Sequence, residues 1–439
     1  MTSDKSKRSD PVNPFDRGRR RALRRAAAVP AAALSAAAAQ SALAQGAGGT
    51  GTASAAADNL PPAVPAWMKQ QGGPFITPPY GVPSPFEKHV VRVLPSAPNP
   101  FPTGSRSPLQ NLHGTLTPNG LFFERHHAGV PSIDPAQHRL MIHGRVKRPL
   151  LLSMDELMRF PSVSRIYFLE CSGNGSSQWA GPAGRTAQEI HGLVSCAEWT
   201  GVMLSTLLDE VGLEPDARWL LAEGADAAAM TRSVPIEKAL DDAMIVYAQN
   251  GEMLRSEQGY PVRLFLPGYE GNMSIKWLRR IKIGTAPFQT REETSKYTDT
   301  LPDGSSRRFT FVMDAKSVIL SPSGGQTVKG RGFREISGIA WSGHGKIRRV
   351  DVSTDGGRSW REAELQEPVR SKALTRFRLP WNWDGSPAVL QSRAMDETGY
   401  VQPTRDRLIA ARGLNSLYHY HAIQSWRVTA AGEVSNVHA

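Results

Sequence analysis

Residues 168–179 read FLECSGNGSSQW, which puts a thiol where an apolar run meets a glycine-rich turn. Only one other cysteine, Cys196, occurs in the 439 residues. In an oxidising compartment the two could close a disulfide. The chain has no C-x-x-C pair, so a zinc ribbon is excluded, and no C-x-x-C-H, so it carries no c-type haem of its own. A lone thiolate is a soft ligand for a transition metal, provided it is held rigid and deprotonated. A strand end supplies the rigidity, and successive N–H groups of Gly173-Asn174-Gly175 supply positive potential. The plainer role for Cys171 is a small buried apolar residue. A thiol hydrolase built on Cys171 and His127 is a further reading and requires a hydrogen bond between them.

Other segments offer complementary chemistry. Arg125-His126-His127 stands in FFERHHAGVP, Asp226 in AEGAD, Arg263 in GYPVRLFLPG, and Ser274 with Lys276 in GNMSIKWLRR. Singly these are ordinary: an arginine in a strand usually faces solvent. Together they supply charged and hydroxyl donors able to clamp a phosphate and a pterin ring.

With 33 Pro and 40 Gly the chain favours turns over long helices, hence a β-rich fold of two or three domains. The formal net charge of +12 suggests nucleic acid. Half of it, however, sits in residues 1–44, where nine Lys/Arg face three Asp. No basic stripe with interleaved aromatics follows, so a small anionic substrate or an acidic partner fits better than nucleic acid. Those first 44 residues read as an export signal: RGRRRALRRAAA, an Ala-rich apolar stretch, then Ala42-Leu43-Ala44 as a cleavage site. Arg19-Arg20 is similar to a twin-arginine signal, with Ala22-Leu23 where Phe-Leu is usual. That route carries folded proteins, which hints at a cofactor inserted before export into the periplasm. No stretch approaches the roughly 20 apolar residues of a membrane span.

Residues 45–112, rich in Gly, Ala, Pro and Ser, read as extended chain lying on a domain surface. HRLMIHG and SRIYFLE read as strands, as do YPVRLFLPG and IKWLRRIKIG. LSMDELMRF reads as a short Ser-capped helix, and STLLDEVGL as a helix stopped by Gly212. After about residue 311 short alternating strands around Asp355-Gly356-Gly357 indicate an immunoglobulin-like β-sandwich. The organisation expected is an export signal (1–44), an extended segment (45–112), a catalytic domain (113–310) and a sandwich (311–439).

The order FFERHH…HRL-IHG…LSMDEL…FLECSGNG…EWTGV…GYPVRLFLPGYEGNMSIKWLRRI resembles the sulfite oxidase family of molybdenum enzymes, and VDVSTDGGRSW is similar to that family's C-terminal dimerisation domain. The resemblance covers roughly residues 110–439. It implies an α+β, strand-rich molybdopterin domain followed by the sandwich. It implies a molybdenum–molybdopterin cofactor with Cys171 as the single protein ligand to the metal. It also implies that His127, and with less definition His126, contact the pterin, that Arg263, Ser274 and Lys276 hold the pterin and its phosphate, and that Asp226 accepts from pterin N–H groups. Arg125 would bind the anionic substrate beside the metal, and Tyr297 would be the active-site tyrosine. Partners implied are a c-type cytochrome subunit, a sulfur-carrier protein or sulfite as substrate, and a homodimer or heterotetramer. Three positions depart from the family pattern: Gly175-Ser176 where basic residues are usual, Glu189 for an aromatic, and Gln258 for a histidine. The pocket is therefore expected to have lost charge and an aromatic wall, which suits a larger, protein-tethered sulfur. Family-related reduction of a sulfoxide, and a metal-free binding or scaffold protein, are the other readings. The stretch YHYHAIQSWRV is left between a strand or dimer contact and a substrate role.

Overall fold

The computed structural model describes residues 83–95 and 103–439. The export signal falls outside the described residues, as does most of the segment 45–112. Residues 83–95 of that segment lie exposed or half-buried, as expected, whereas the stretch from residue 103 enters the core. Thr103–Ser105 pairs antiparallel with Glu124–His126, and Leu109 is buried in the main core. Its serines Ser105 and Ser107 are buried too, and the Ser107 hydroxyl lies 2.6 Å from that of Ser195.

Two five-stranded sheets build the catalytic region. The first runs in the order Glu252–Met253, Met244–Gln249, Val194–Met203, Ser162–Glu170, with Arg263–Phe265 also paired to Met244–Gln249. The long antiparallel pair Ser162–Glu170 and Val194–Met203 is in register from Ser162↔Val202 to Glu170↔Val194. Gly201 sits at a bulge on its far edge, where an added Cβ would lie 2.1 Å from the Ile245 carbonyl, so only glycine lets the strands approach. The second sheet has the order Leu150–Leu152, Leu140–Gly144, Leu278–Gly284, Trp219–Gly224, Thr231–Pro235, with one parallel pairing between Leu140–Gly144 and Leu278–Gly284.

Helices are short and locally specified. Met154–Leu157 starts at Ser153, whose hydroxyl accepts from Glu156 N–H while the Glu156 carboxylate takes the Ser153 N–H, a reciprocal cap. Leu204–Val211 buries Leu204, Leu207, Leu208 and Val211 on one face and stops at Gly212, φ 64°.

Beyond residue 315 two sheets pack face to face. One has the order Lys316–Ser321, Gly332–Trp341, Thr375–Trp383, Glu364–Leu365. The other runs Arg361–Glu362, Ile347–Ser353, Ala388–Asp396, Ser425–Val428, Val434–Val437. Strands alternate inward and outward, as in Thr375–Trp383, where every second residue is buried. The sandwich core of Trp341, Phe377, Trp426 and neighbours is continuous with Phe168, Ile190, Val194 and Cys196 of the first sheet. Main-chain bonds cross as well: Phe168 N–H to Lys372 O at 2.9 Å and Met313 N–H to Gly268 O at 3.0 Å. The sandwich is thus fused to the back of the sheet that ends at Cys171.

Candidate active site

Strand Ser162–Glu170 delivers Cys171 to the rim of a cavity of about 670 Å³, counting its part open to solvent. Both cysteines are free thiols. Cys196 pairs across the sheet with Phe168 and is fully buried, and burial pushes its thiol up to about 12, so it is inert packing. Cys171 sits in a turn closed by Asn174 N–H to Cys171 O, 2.9 Å, with its own N–H bonded to Leu193 O, 3.0 Å. Burial raises its thiol too, opposed by the Gly173 N–H and Arg125.

Every other candidate residue from the sequence lines the same cavity: Arg125, His126, His127, Asp226, Arg263, Ser274, Lys276 and Tyr297. They arrive from separate elements. Arg125 and His126 lie on Glu124–His126, pinned by the pairing Gly104↔Arg125. Asp226 follows Trp219–Gly224 in a turn, and Arg263 opens Arg263–Phe265. Ser274 ends a 3-10 turn and accepts the Leu266 N–H at 3.0 Å.

The cavity's electrostatics differ along its length. Arg263 is buried, donating to Gln258 O at 3.0 Å and Ser274 O at 2.9 Å, while its Nε has no partner. Burial lowers its guanidinium to about 9. Burial, then the charge of Arg263, brings the Lys276 ammonium down to about 7. Buried Arg263 beside half-buried Lys276 suits this part of the cavity to an anion. His126, also buried, has an unpartnered Nδ1. Toward Cys171 the wall carries Arg125 and Tyr297, whose hydroxyl lies 2.9 Å from His127 Nε2. Burial and the neighbouring Arg125 hold His127 down at about 4, and burial pushes the Tyr297 phenol far up, so both are neutral near pH 7. Among the described residues no hydrogen bond joins Cys171 to His127, whose Nε2 is committed to Tyr297, and this removes the hydrolase reading.

Glu189 and Gly175-Ser176 do not line the cavity, which corrects the expectation that they reshape it. Glu189 is the third residue of helix Ala187–His191 and is used up in its cap with Thr186. Gly175, φ 86°, packs on Tyr420 and His191 instead. Gln258 does line the cavity, its amide donating to Phe123 O at 2.9 Å.

Sequence reasoning missed a second layer. Arg232, fully buried, bonds Asn272 and Glu270 and stacks its guanidinium 5.2 Å from the Tyr297 ring centroid. Tyr418 packs on Tyr297 with centroids 5.1 Å apart. Tyr297 and His419 both hold positive φ, 52° and 58°, the kind of strain that clusters at functional sites. The YHYH density was the signal for Tyr418 and His419. Arg232 gave none, because TRSVP reads as any edge strand.

Comparison with known proteins agrees with this geometry. Residues 127–292 match the family of the oxidoreductase molybdopterin binding domain, and residues 307–426 the Mo-co oxidoreductase dimerisation domain. The chain is 32% identical over 318 residues to the mitochondrial sulfite oxidase of Rattus norvegicus, covering 66% of this chain and 57% of that one. It is 32% identical to the sulfite oxidase of Gallus gallus over 66% of this chain and 68% of that one. The chain therefore spans little more than half the length of the rat enzyme. The crystal structure of the sulfane dehydrogenase SoxCD from Paracoccus pantotrophus superposes with a TM-score of 0.84 at 48% identity, covering 86% of this chain and 98% of that one.

The residues fit the cofactor these relatives imply. Among the described residues no three His, Cys, Asp or Glu side chains converge as a metal cage, so a metal bound here must come on a scaffold of its own. Cys171 offers that metal one soft ligand, the unpartnered Arg263 Nε and the Lys276 ammonium offer an anionic tail its countercharge, and Asp226 and His126 line the same cavity. The chain belongs to the sulfite oxidase family of molybdopterin oxidoreductases, and its cofactor is molybdenum–molybdopterin.

Proposed function

We propose that this chain is the molybdenum-bearing subunit of an exported sulfur dehydrogenase, acting on sulfane sulfur tethered to a carrier protein in preference to free sulfite. The observation that carries this is the make-up of the cavity wall around Cys171. Among the described residues Arg125 is the arginine on that wall with no carboxylate partner, only its Nη1 being engaged, with the Thr103 and His126 carbonyls, while Arg232, stacked on Tyr297, is neutralised by Glu270 at 3.2 Å. Bare sulfite, a small dianion, calls for more positive charge than that. The wall also carries the aromatic ring of Tyr297, backed by Tyr418.

Bound molybdenum supplies two-electron oxidation by oxygen-atom transfer. The protein's residues orient and shield. Cys171 would hold the metal, with Arg263, Lys276, Ser274, Asp226, His126 and His127 along the pterin and its phosphate. Arg125 holds the anionic end of the substrate with charge-assisted bonds. The Tyr297 hydroxyl, held as acceptor by the His127 Nε2–H, presents its own proton as a neutral donor to the substrate; with both groups neutral, the pair positions a proton without giving it up. With no haem-attachment motif in the chain, electrons pass to a separate c-type cytochrome subunit. The Arg-rich N-terminus supports a twin-arginine route to the periplasm, and among the described residues no helix is long and apolar enough to cross a membrane.

Steady-state kinetics with free sulfite and with a sulfane-loaded carrier, using cytochrome c as acceptor, test the reading. It expects kcat/KM for the carrier to exceed that for sulfite by about a hundredfold or more, the worth of a mismatched charge in a closed site. Sulfite turnover as efficient as that of a dedicated sulfite oxidase would overturn it.

A further inference from the structure

The Cys171 turn is gripped from behind by the C-terminal sandwich. Glu170, the last residue of its strand and fully buried, accepts at Oε2 from Trp341 Nε1, 2.6 Å, and at Oε1 from Asn174 Nδ2, 2.9 Å, and Lys316 Nζ, 3.2 Å. Lys316, equally buried, also donates to Asn174 O at 3.3 Å. Lys316 and Trp341 are direct cross-strand partners at the sandwich edge, so one rung of that sheet holds both carboxylate oxygens. Asn174 in turn accepts the Leu193 N–H at 3.1 Å. Lys316 therefore reaches both ends of the four-residue turn that contains Cys171: Glu170 before it and the Asn174 carbonyl at its close.

The turn has nowhere else to go. An added Cβ at Gly271 would stand 2.7 Å from Glu170 O and 3.4 Å from Cys171 Cα, so main chain already presses on its other side. Ser172 is fixed by Asn272 Nδ2 at 2.9 Å and by the His419 N–H to its carbonyl at 2.8 Å, the latter again from the C-terminal region. A buried ion pair is a poor source of net stability, since desolvation offsets its attraction. A pair retained at a metal-ligand turn, with every carboxylate oxygen satisfied, is explained by the geometry it enforces.

We propose that Lys316 is a positioning residue for the metal ligand: acting through Glu170 and Asn174, the sandwich domain sets where the Cys171 sulfur sits. The proposal rests on Cys171 being the ligand, but its first readout does not. In full-length chain made without cofactor, hydrogen–deuterium exchange of the peptide covering 171–176 is compared in wild type, Lys316→Met and the double variant Glu170→Gln/Lys316→Met. Lys316→Met strands a buried carboxylate and is expected to speed exchange of this turn by about tenfold while peptides from Ser425–Val437 stay protected. In the double variant no charge is stranded, the introduced amide oxygen still accepts a hydrogen bond from the turn, and exchange returns to within about threefold of wild type. If Lys316→Met does not fold, a folded, protected double variant carries the same conclusion. In holoenzyme the single variant should also shift the electron paramagnetic resonance g-values of the one-electron-reduced metal, a signature that loss of stability elsewhere would not move. Wild-type exchange in Lys316→Met, or equal loosening in the single and double variants, overturns the proposal. The expected exchange pattern together with absence of metal from all three proteins when they are produced in cofactor-making cells would instead refute the reading of Cys171 as ligand.

Discussion

Replacing Tyr297 by Phe isolates one hydroxyl. The ring should keep its packing on Tyr418, 5.1 Å, and under the Arg232 guanidinium, 5.2 Å, so fold and cofactor content stay as in wild type. What is lost is the 2.9 Å contact to His127 Nε2 and the donor it presents at the substrate. A hydrogen bond between two neutral groups contributes about 0.5–1.5 kcal/mol, and the half-buried His127 N–H left without its acceptor adds about 1–3 kcal/mol. Together these raise the barrier by about 1.5–4.5 kcal/mol, a loss of roughly tenfold to 2,000-fold in kcat/KM. Since His127 is held at about 4 and the Tyr297 phenol is pushed far up, neither titrates between about pH 5.5 and 9, so the loss should be uniform across that range. The assay is steady-state turnover over this range, normalised to molybdenum per chain. Unchanged kcat/KM, or a deficit fully accounted for by missing metal, would refute the role given to the hydroxyl.

Two further outcomes concern stability. His421, buried and held by burial at about 4 against the pull of Asp314, and His191, buried and held well below its usual value, are neutral in the fold. Their folded pKa values lie below the unfolded ones, so the unfolded chain binds more protons as pH falls from about 6.5 toward 4, and stability is lost in that window; His421 alone accounts for about 3 kcal/mol by pH 4. Glu270, where Arg232, His419 and Asn272 outweigh burial and hold the carboxyl at about 2, extends the loss only to still lower pH. A melting temperature that is flat or rising on acidification from about pH 7 to 4 would contradict this. Gly201→Ala forces a Cβ against the Ile245 carbonyl and the Val246 Cα, 2.1 and 2.7 Å away, both rigid main chain. It should cost about 2–4 kcal/mol in denaturant unfolding, and a variant within about 0.5 kcal/mol of wild type would show that the strands can yield.

The sequence made the ligand-bearing elements legible because their signals are local. The Ser153 cap, the Gly212 stop and the alternation of SRIYFLE each depend on residues within one turn or strand, and each element forms where expected. The nine candidate residues were also readable, though as a set matching the order of the sulfite oxidase motifs rather than one by one, and they meet in one cavity. What stayed hidden is non-local. Glu189 looked like a pocket position, but a helix N-terminus needed it first. Glu170 and Lys316 lie far apart in the chain and become informative only once the sheets place them 3.2 Å from each other. The stretch from Tyr418 to His421 was conspicuous in composition, yet only packing shows that Tyr418 backs Tyr297, that His419 braces Ser172 and that His421 faces Asp314 and Tyr400.

The central claim is that Cys171 holds molybdenum. Metal per chain, measured by inductively coupled plasma mass spectrometry on purified wild type and on Cys171→Ser, tests it most directly. The account predicts close to one molybdenum per wild-type chain and a marked loss in a variant that remains folded. Folded wild type without molybdenum, from cells that make the cofactor, or full retention in Cys171→Ser, would contradict it.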